Sequence, residues 1–344
     1  MIVKELVKKL VEAWGPSGFE HHVRALIEEE VADLCDEMHV DSMGSLHCRI
    51  GKKTDSNLRI MIAAHMDEIG VMVSHIDREG YMRFANIGGV FPLTLSGGRV
   101  RFENGVTGVV GSELGWRSTE TPKLEHFYID VSASTEDGKN KNAEIRVGDP
   151  AGFWRTMEER GDRLIAKSMD DRIGCVVAIL AMQELKKVGS AHEVIFVFTV
   201  QEEVGVRGAK AAAYGVDPDL GIALDICPTG DLPKTSPRMD VTLGAGAAIK
   251  LRDNGLIVPP EVKDLMIDTA EKYDIPYQLE ILQLGSTDAS AIQLARAGVP
   301  SGCISIPCRY AHTVSETVDV NDVQACTDLL VKILSNPIEK IKPS

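Results

Sequence analysis

Hydrophobic positions change their spacing several times along the chain. In residues 2–14, Ile2, Leu6, Leu10 and Ala13 fall near a helical repeat, which predicts an amphipathic helix. GPSGFE breaks it. Ser17 followed by Glu20 then matches a capping box for a second helix, to about Leu34. MHVDSMGSLHCRIG alternates around Gly44 as a hairpin does, and NLRIMIAAHMDE is a buried strand ending in polar residues. Over residues 70–160 the pattern becomes short alternating segments, such as GVMVSHI, YMRFANI, RVRFEN and FYIDVSA, punctuated by Gly and Asn. These predict an all-β unit, a small barrel or sandwich. TEDGKNKNAE, its most polar stretch, reads as a surface loop.

Beyond this unit strands and helices alternate. HEVIFVFTVQEE, LGIALDICP, PYQLEIL and PSGCISIP read as strands. SMDDRIGCVVAILAMQELKKVG, GVRGAKAAAYGV, PPEVKDLMIDTAEKYDI, TDASAIQLARAG and VNDVQACTDLLVKILSN read as helices. The expected fold class is therefore α/β, a mostly parallel sheet covered by helices on both faces. Residues 1–69 and 161–344 are expected to form one discontinuous domain, interrupted by the β unit of 70–160.

Composition narrows the function. The net charge of −14 argues against a nucleic-acid partner, which needs basic patches. The seven Cys are odd in number, scattered and without CxxC, so neither a disulfide framework nor a thiolate zinc site is expected. The first helix carries charges rather than a signal-peptide core, and no apolar run reaches the length of a membrane span. The expected location is the cytoplasm, with no membrane partner.

In open α/β sheets, ligands bind at the carboxyl ends of the strands. The first long strand delivers His65 and Asp67 there, the strand after residue 193 delivers Glu202 and Glu203, LGIALDI delivers Asp225, and the last strand leads to His312. The start of the long helix adds Asp170 and Asp171. Singly, each has an ordinary reading: a core histidine, an N-cap pair, a solvated loop. Together, two His and these carboxylates converge with no Lys beside them in the sequence. Their repulsion would cost on the order of several kcal/mol without a cation. Nitrogen and oxygen ligands without Cys suit Zn²⁺, Co²⁺ or Mn²⁺ better than Ca²⁺. The inventory supports two ions, with one carboxylate bridging. Asp67 shares a strand face with His65 and can accept its second ring N–H. Of the Glu pair, one ligates and its neighbour takes a proton from water.

AAHMDEIGVMV, SMDDRIG, VQEEVGVRGA, LDICPTGD, GSTDASA and SGCISIPCRYAHT together resemble the cytosolic tetrahedral (TET) aminopeptidases. These dinuclear metallopeptidases are also called glutamyl or deblocking aminopeptidases, and some relatives carry an endoglucanase label. The resemblance implies His65 and Asp225 on one metal, Glu203 and His312 on the other, and Asp170 bridging them. It implies Asp67 as the residue orienting His65, Glu202 as general base, and a cis peptide between Asp170 and Asp171. It further implies a zinc-peptidase-like catalytic domain with an inserted PDZ-like domain used in dimer contacts, dimers assembling into a tetrahedral homododecamer, and short peptides as substrates. Two departures, Gly285-Ser286 before TDA and the loop GAGAAIK, lie where side-chain preference would be set. The expected activity is removal of the N-terminal residue of a peptide. The alternatives are a dinuclear amidase or deacylase acting on N-acylated substrates, a glycosidase, and a non-catalytic assembly protein. Arg309 is read as a structural ion-pair residue near the site, Cys303 and Cys308 as packing residues, and His21-His22 as an exposed helix start.

Overall fold

The computed structural model describes residues 2–115, 118–131, 145–234, 238–338 and 341; the expected loop TEDGKNKNAE lies outside them. Helices α1 (Ile2–Val11) and α2 (His21–Val31) bury Leu6, Leu10, Val23 and Ile27, as their spacing predicts. The capping box does not form. Glu20 is the N-cap residue of α2 but makes no side-chain cap. Ser17 Oγ donates instead to Asp67 Oδ2 at 2.6 Å, and Glu20 Oε1 accepts from the amides of Gly18 and Gln201 at 2.7 and 3.0 Å. Buried tertiary partners have displaced the local ones, because an unpaired buried carboxylate or amide costs more than an uncapped helix start.

A hairpin follows, β1 (Glu37–Val40) and β2 (Leu46–Ile50), then β3 (Arg59–His65). The chain next closes a six-stranded barrel from β4 (Gly70–Ile76), β5 (Met82–Ile87), β6 (Arg99–Phe102), β7 (Thr107–Ser112), β8 (Phe127–Asp130) and β9 (Pro150–Phe153). Val71, Met82, Val100, Phe102, Phe127 and Ile129 belong to the barrel's own core. Two short strands, β10 (Glu158–Arg160) and β11 (Arg163–Ala166), lead to α3 (Met169–Val188), β12 (Glu193–Thr199), α4 (Arg207–Val216) and β13 (Leu220–Pro228). The rest is β14 (Ala247–Arg252), α5 (Pro260–Lys272), β15 (Tyr277–Ile281), α6 (Asp288–Gln293), β16 (Ser301–Cys308), β17 (Glu316–Asp319) and α7 (Val320–Ser335).

Eight strands form one mixed sheet in the order β1-β2-β12-β3-β13-β16-β14-β15. The central block β12-β3-β13-β16 is parallel, while β2 on β12 and β14 on β16 are antiparallel. Both faces of the central strands are buried. Ile60, Ile62, Phe196 and Phe198 pack with residues of α1, α3 and α7, whereas Met61, Ala63, Ile195 and Val197 pack with Ala212 of α4 and Ile292 of α6. This two-sided burial is why these strands read as unbroken apolar runs. Each fully buried Ile or Phe contributes about 1.5–3 kcal/mol.

GAGAAIK, expected as a loop, is one only in part: Ala247–Arg252 is strand β14, parallel to β15. Its Lys250 is fully buried and ion-paired with Glu280 of β15, so a charge at an interior position disguises the strand. Strands β10, β11 and β17 also escape the sequence reading. They form a three-stranded sheet in which Ala166 pairs with Glu316. No helix among the described residues is long and apolar enough to cross a membrane.

Candidate metal centre and active site

Because the central strands run parallel, their carboxyl ends open on one edge of the sheet. His65 closes β3 opposite Thr199, the last residue of β12. Glu202 and Glu203 follow Thr199 by a few residues, and Asp225 lies in β13. His312 lies in the segment between β16 and β17.

Asp170 stands at the centre of the predicted residues. Its Oδ1 lies 3.0 Å from His65 Nε2 and its Oδ2 3.2 Å from His312 Nε2. His312 Nε2 is also 3.5 Å from Glu203 Oε2. Among the described residues three groups could hold a metal ion: two lie here, His65 with Asp170 and Glu203, and His65 with Asp171 and Asp225, and the third is the exposed set His21, His22 and Glu103. The peptide between Asp170 and Asp171 is cis, and both residues have non-helical backbone inside the first turn of α3. Asp171 thus caps the regular part of α3, with Oδ1 on the Gly174 amide, whereas Asp170 faces the two histidines. Asp171 turns its oxygens to backbone, accepting from the amides of His65 (3.3 Å) and Gly174 (3.0 Å).

Each histidine is anchored through its other nitrogen. His65 Nδ1–H donates to the Asp67 carbonyl at 3.1 Å, and His312 Nδ1–H donates to the Gly89 carbonyl at 2.8 Å. Both anchors turn Nε2 toward Asp170. A neutral imidazole would then face a carboxylate with a lone pair. Without a cation between them, the rings must be protonated. Burial lowers the affinity of both for protons, but the hydrogen bonds to Asp170 and the surrounding carboxylates together outweigh it, so His65 is held well above its usual range and His312 is pushed up to about 10. Asp170 is held well below the usual carboxylate range, because its bonds to His312 and His65 override burial. Burial, aided by neighbouring carboxylates, pushes Glu203 up to about 8 and holds Glu202 and Asp225 far above ordinary values. Among the described residues, Glu203 Oε1 is buried with no hydrogen-bond partner. An unpaired acceptor, carboxylates whose charge burial leaves uncompensated and two anchored imidazoles are a donor set that fits a divalent ion.

Two buried lysines come closer than the sequence suggests, but each is already engaged. Lys167 bonds Glu68 at 2.7 Å, and Lys250 bonds Glu280. Neither ammonium is left to neutralise the cluster.

Asp67 departs from its expected contact. The backbone carbonyl of Asp67, not its carboxylate, is the nearer acceptor for His65; Oδ1 is 3.5 Å from Nδ1. The carboxylate mainly receives the amides of Glu202 (2.9 Å) and Glu203 (3.1 Å), together with the Ser17 hydroxyl. One fully buried side chain thus sets the backbone of the whole Glu pair.

The model of the M42 glutamyl aminopeptidase family matches residues 44–329. The chain belongs to this family. A solved aminopeptidase from the archaeon Desulfurococcus kamchatkensis is 39% identical, with a TM-score of 0.91 over 97% of this chain and 95% of that one. A lysyl aminopeptidase of Pyrococcus furiosus is 33% identical across 100% of this chain and 99% of its own length. The TET1 peptidase of Pyrococcus horikoshii, described as able to assemble into a tetrahedron or a large octahedral shell, is 31% identical with a TM-score of 0.85, covering 96% of this chain and 99% of that one. The chain is accordingly an aminopeptidase, a hydrolase of peptide bonds.

The M42 chain also uses residues that sequence reasoning passed over. Glu316, at the start of β17, accepts the amide of Asp170 through Oε2 (3.1 Å) and that of His312 through Oε1 (2.7 Å). It ties the helix start and the histidine segment to one carboxylate, which burial and Asp170 push up to about 8. Asp288, in the GSTDASA motif, accepts the Thr199 hydroxyl at 2.5 Å. The position of Glu316, four residues after His312, was its only local signal. Arg309 forms two bonds to Asp231, 3.0 and 2.5 Å, as a structural pair. Cys303 and Cys308 are buried in the core.

Proposed function

We propose that this aminopeptidase releases the N-terminal residue of short peptides at a two-metal centre, with Zn²⁺ or Co²⁺ the favoured ions and Mn²⁺ the next choice. The observation that carries the reading is the placement of Asp170, whose two oxygens each lie within 3.2 Å of a different histidine. His65 and Asp225 would share one ion with Asp170, and Glu203 and His312 the other. Bound there, the ions would bring water toward ionisation at neutral pH and draw charge from the scissile carbonyl.

The protein's own groups do the rest. Glu202 takes the proton of the attacking water and returns it to the leaving amine. Glu202, beside the cluster yet outside the proposed ligand set, is free to hold that proton between the two steps. Asp67 keeps Glu202 in place through its backbone amide. The ring of carboxylates gives the substrate's free ammonium group acceptors, which favours a free N-terminus over an acylated one. Residues 1–69 with 161–344 carry this chemistry, and the inserted unit of 70–160, PDZ-like in role, makes the dimer contacts of a tetrahedral homododecamer. The setting is cytoplasmic.

The test is hydrolysis of aminoacyl-p-nitroanilides and one N-acetylated peptide by chelator-stripped protein, with Zn²⁺, Co²⁺ or Mn²⁺ restored singly. Metal-dependent release from free-amine substrates is expected. Turnover of the acetylated peptide alone would assign a deacylase instead.

A further inference from the structure

A cavity of about 470 Å³ opens directly on Asp170, Asp225 and His312. That is a size at which protein clefts hold small molecules, roughly 300–1,000 Å³. Its wall is apolar: Phe91 arrives from the barrel, Ile226 from β13, and Leu282 and Leu284 from the segment after β15, with Met239 beside them. Apart from Asp170, Asp225 and His312, its polar side chains are hydroxyls only, those of Thr229, Ser286 and Thr287.

From this lining we infer that the cavity receives the side chain of the substrate's N-terminal residue and selects apolar ones, of leucine, methionine or phenylalanine type, over acidic and basic ones. The inference deepens the aminopeptidase reading and rests on it. Among the described residues that line the cavity, an acidic side chain finds no cation. The nearby Arg309 is bound through two nitrogens to Asp231 and does not line the cavity, and Lys250 is buried against Glu280. Among the same residues a basic side chain finds only the two carboxylates assigned to the metals. A charge moved from water into such a wall without a partner is disfavoured, whereas each apolar group buried there is favoured. Phe91 and Leu284 are 55% and 72% exposed, so the cavity presents apolar surface that a substrate side chain would cover.

The experiment measures kcat/KM of the metal-loaded enzyme on Leu-, Met-, Phe-, Glu- and Lys-p-nitroanilide. The apolar three should exceed Glu and Lys by about 100-fold or more, the scale of a site that leaves a buried charge unpaired. Leu282→Arg should then raise the Glu-to-Leu ratio by on the order of 100-fold with metal content unchanged. Leu284→Arg, at a more exposed position, carries the same expectation if the first variant fails to fold. Glu or Lys turnover within about 10-fold of Leu, or an unaltered ratio in a folded, metal-loaded variant, overturns the inference while leaving the aminopeptidase standing. Silence on every free-amine substrate with metal bound overturns the aminopeptidase reading, and the inference with it.

Discussion

The carboxylate of Asp67 accepts the backbone N–H of Glu202 at 2.9 Å. The same carboxylate takes the next amide, that of Glu203, at 3.1 Å. A metal-ligand candidate and a proton-transfer candidate, adjacent in sequence, are thus aimed by one buried group. Replacing Asp67 with Asn turns a donor toward these donors. Asp67→Asn is expected to lower kcat about 10–100-fold, the usual effect of losing a supporting residue behind a metal site. It should also cost about 1–3 kcal/mol of stability for the unpaired amide. Steady-state kinetics and urea unfolding check both, and unchanged kcat would detach Asp67 from the chemistry.

Glu202→Gln keeps the shape of the side chain and removes its ability to carry a proton. Turnover should fall by more than about 100-fold, the scale of general acid–base help. Metal content, read by mass spectrometry, should stay at the wild-type level. A variant that turns over normally places the base elsewhere.

Gly89 tests the anchor of His312. A Cβ built on Gly89 would lie 2.5 Å from His312 Nδ1, the atom that donates to the Gly89 carbonyl. Gly89→Ala must push the ring away from Asp170. Metal affinity should weaken about 10–100-fold, as for other outer partners of ligating histidines. Isothermal titration with Zn²⁺ measures it, and wild-type affinity would show that the anchor is dispensable.

The fold and the site differ in how much of each the sequence makes legible. Strands β3, β12 and β13 announce themselves because two-sided burial demands continuous apolar runs, and their polar ends mark the site edge. Strand β14 stays hidden because Lys250 interrupts its pattern, and only the distant Glu280 makes that burial tolerable. Strands β10, β11 and β17 are three or four residues long, too short to carry a period. Glu316 has no distinguishing neighbours, since its partners, the amides of Asp170 and His312, are brought to it by folding. Ser17 and Glu20 mislead for the opposite reason. Their spacing is that of a local cap, but Asp67 and Gln201 claim the two side chains.

Away from the metal groups, the Arg309 guanidinium holds the Asp231 carboxyl down to about 2 from 3.8. A depressed carboxyl pKa stabilises the fold above the unfolded value, and that contribution fades as protons return. Wild-type protein should therefore lose this stability as pH falls from about 4 to about 2. Asp231→Asn should lack this component, so the gap between the two proteins narrows over that window. Urea midpoints at stepped pH measure it. A gap that stays constant to pH 2 would mean that the pair contributes nothing through its charge.

The most direct measurement is the number of ions bound per chain, counted by titrating chelator-stripped protein with Co²⁺ beside Asp170→Asn. The placement of Asp170 between His65 and His312 predicts two ions per wild-type chain and weakened binding of both in the variant. A single ion per wild-type chain, or a variant that keeps two ions at wild-type affinity, would contradict a bridged centre.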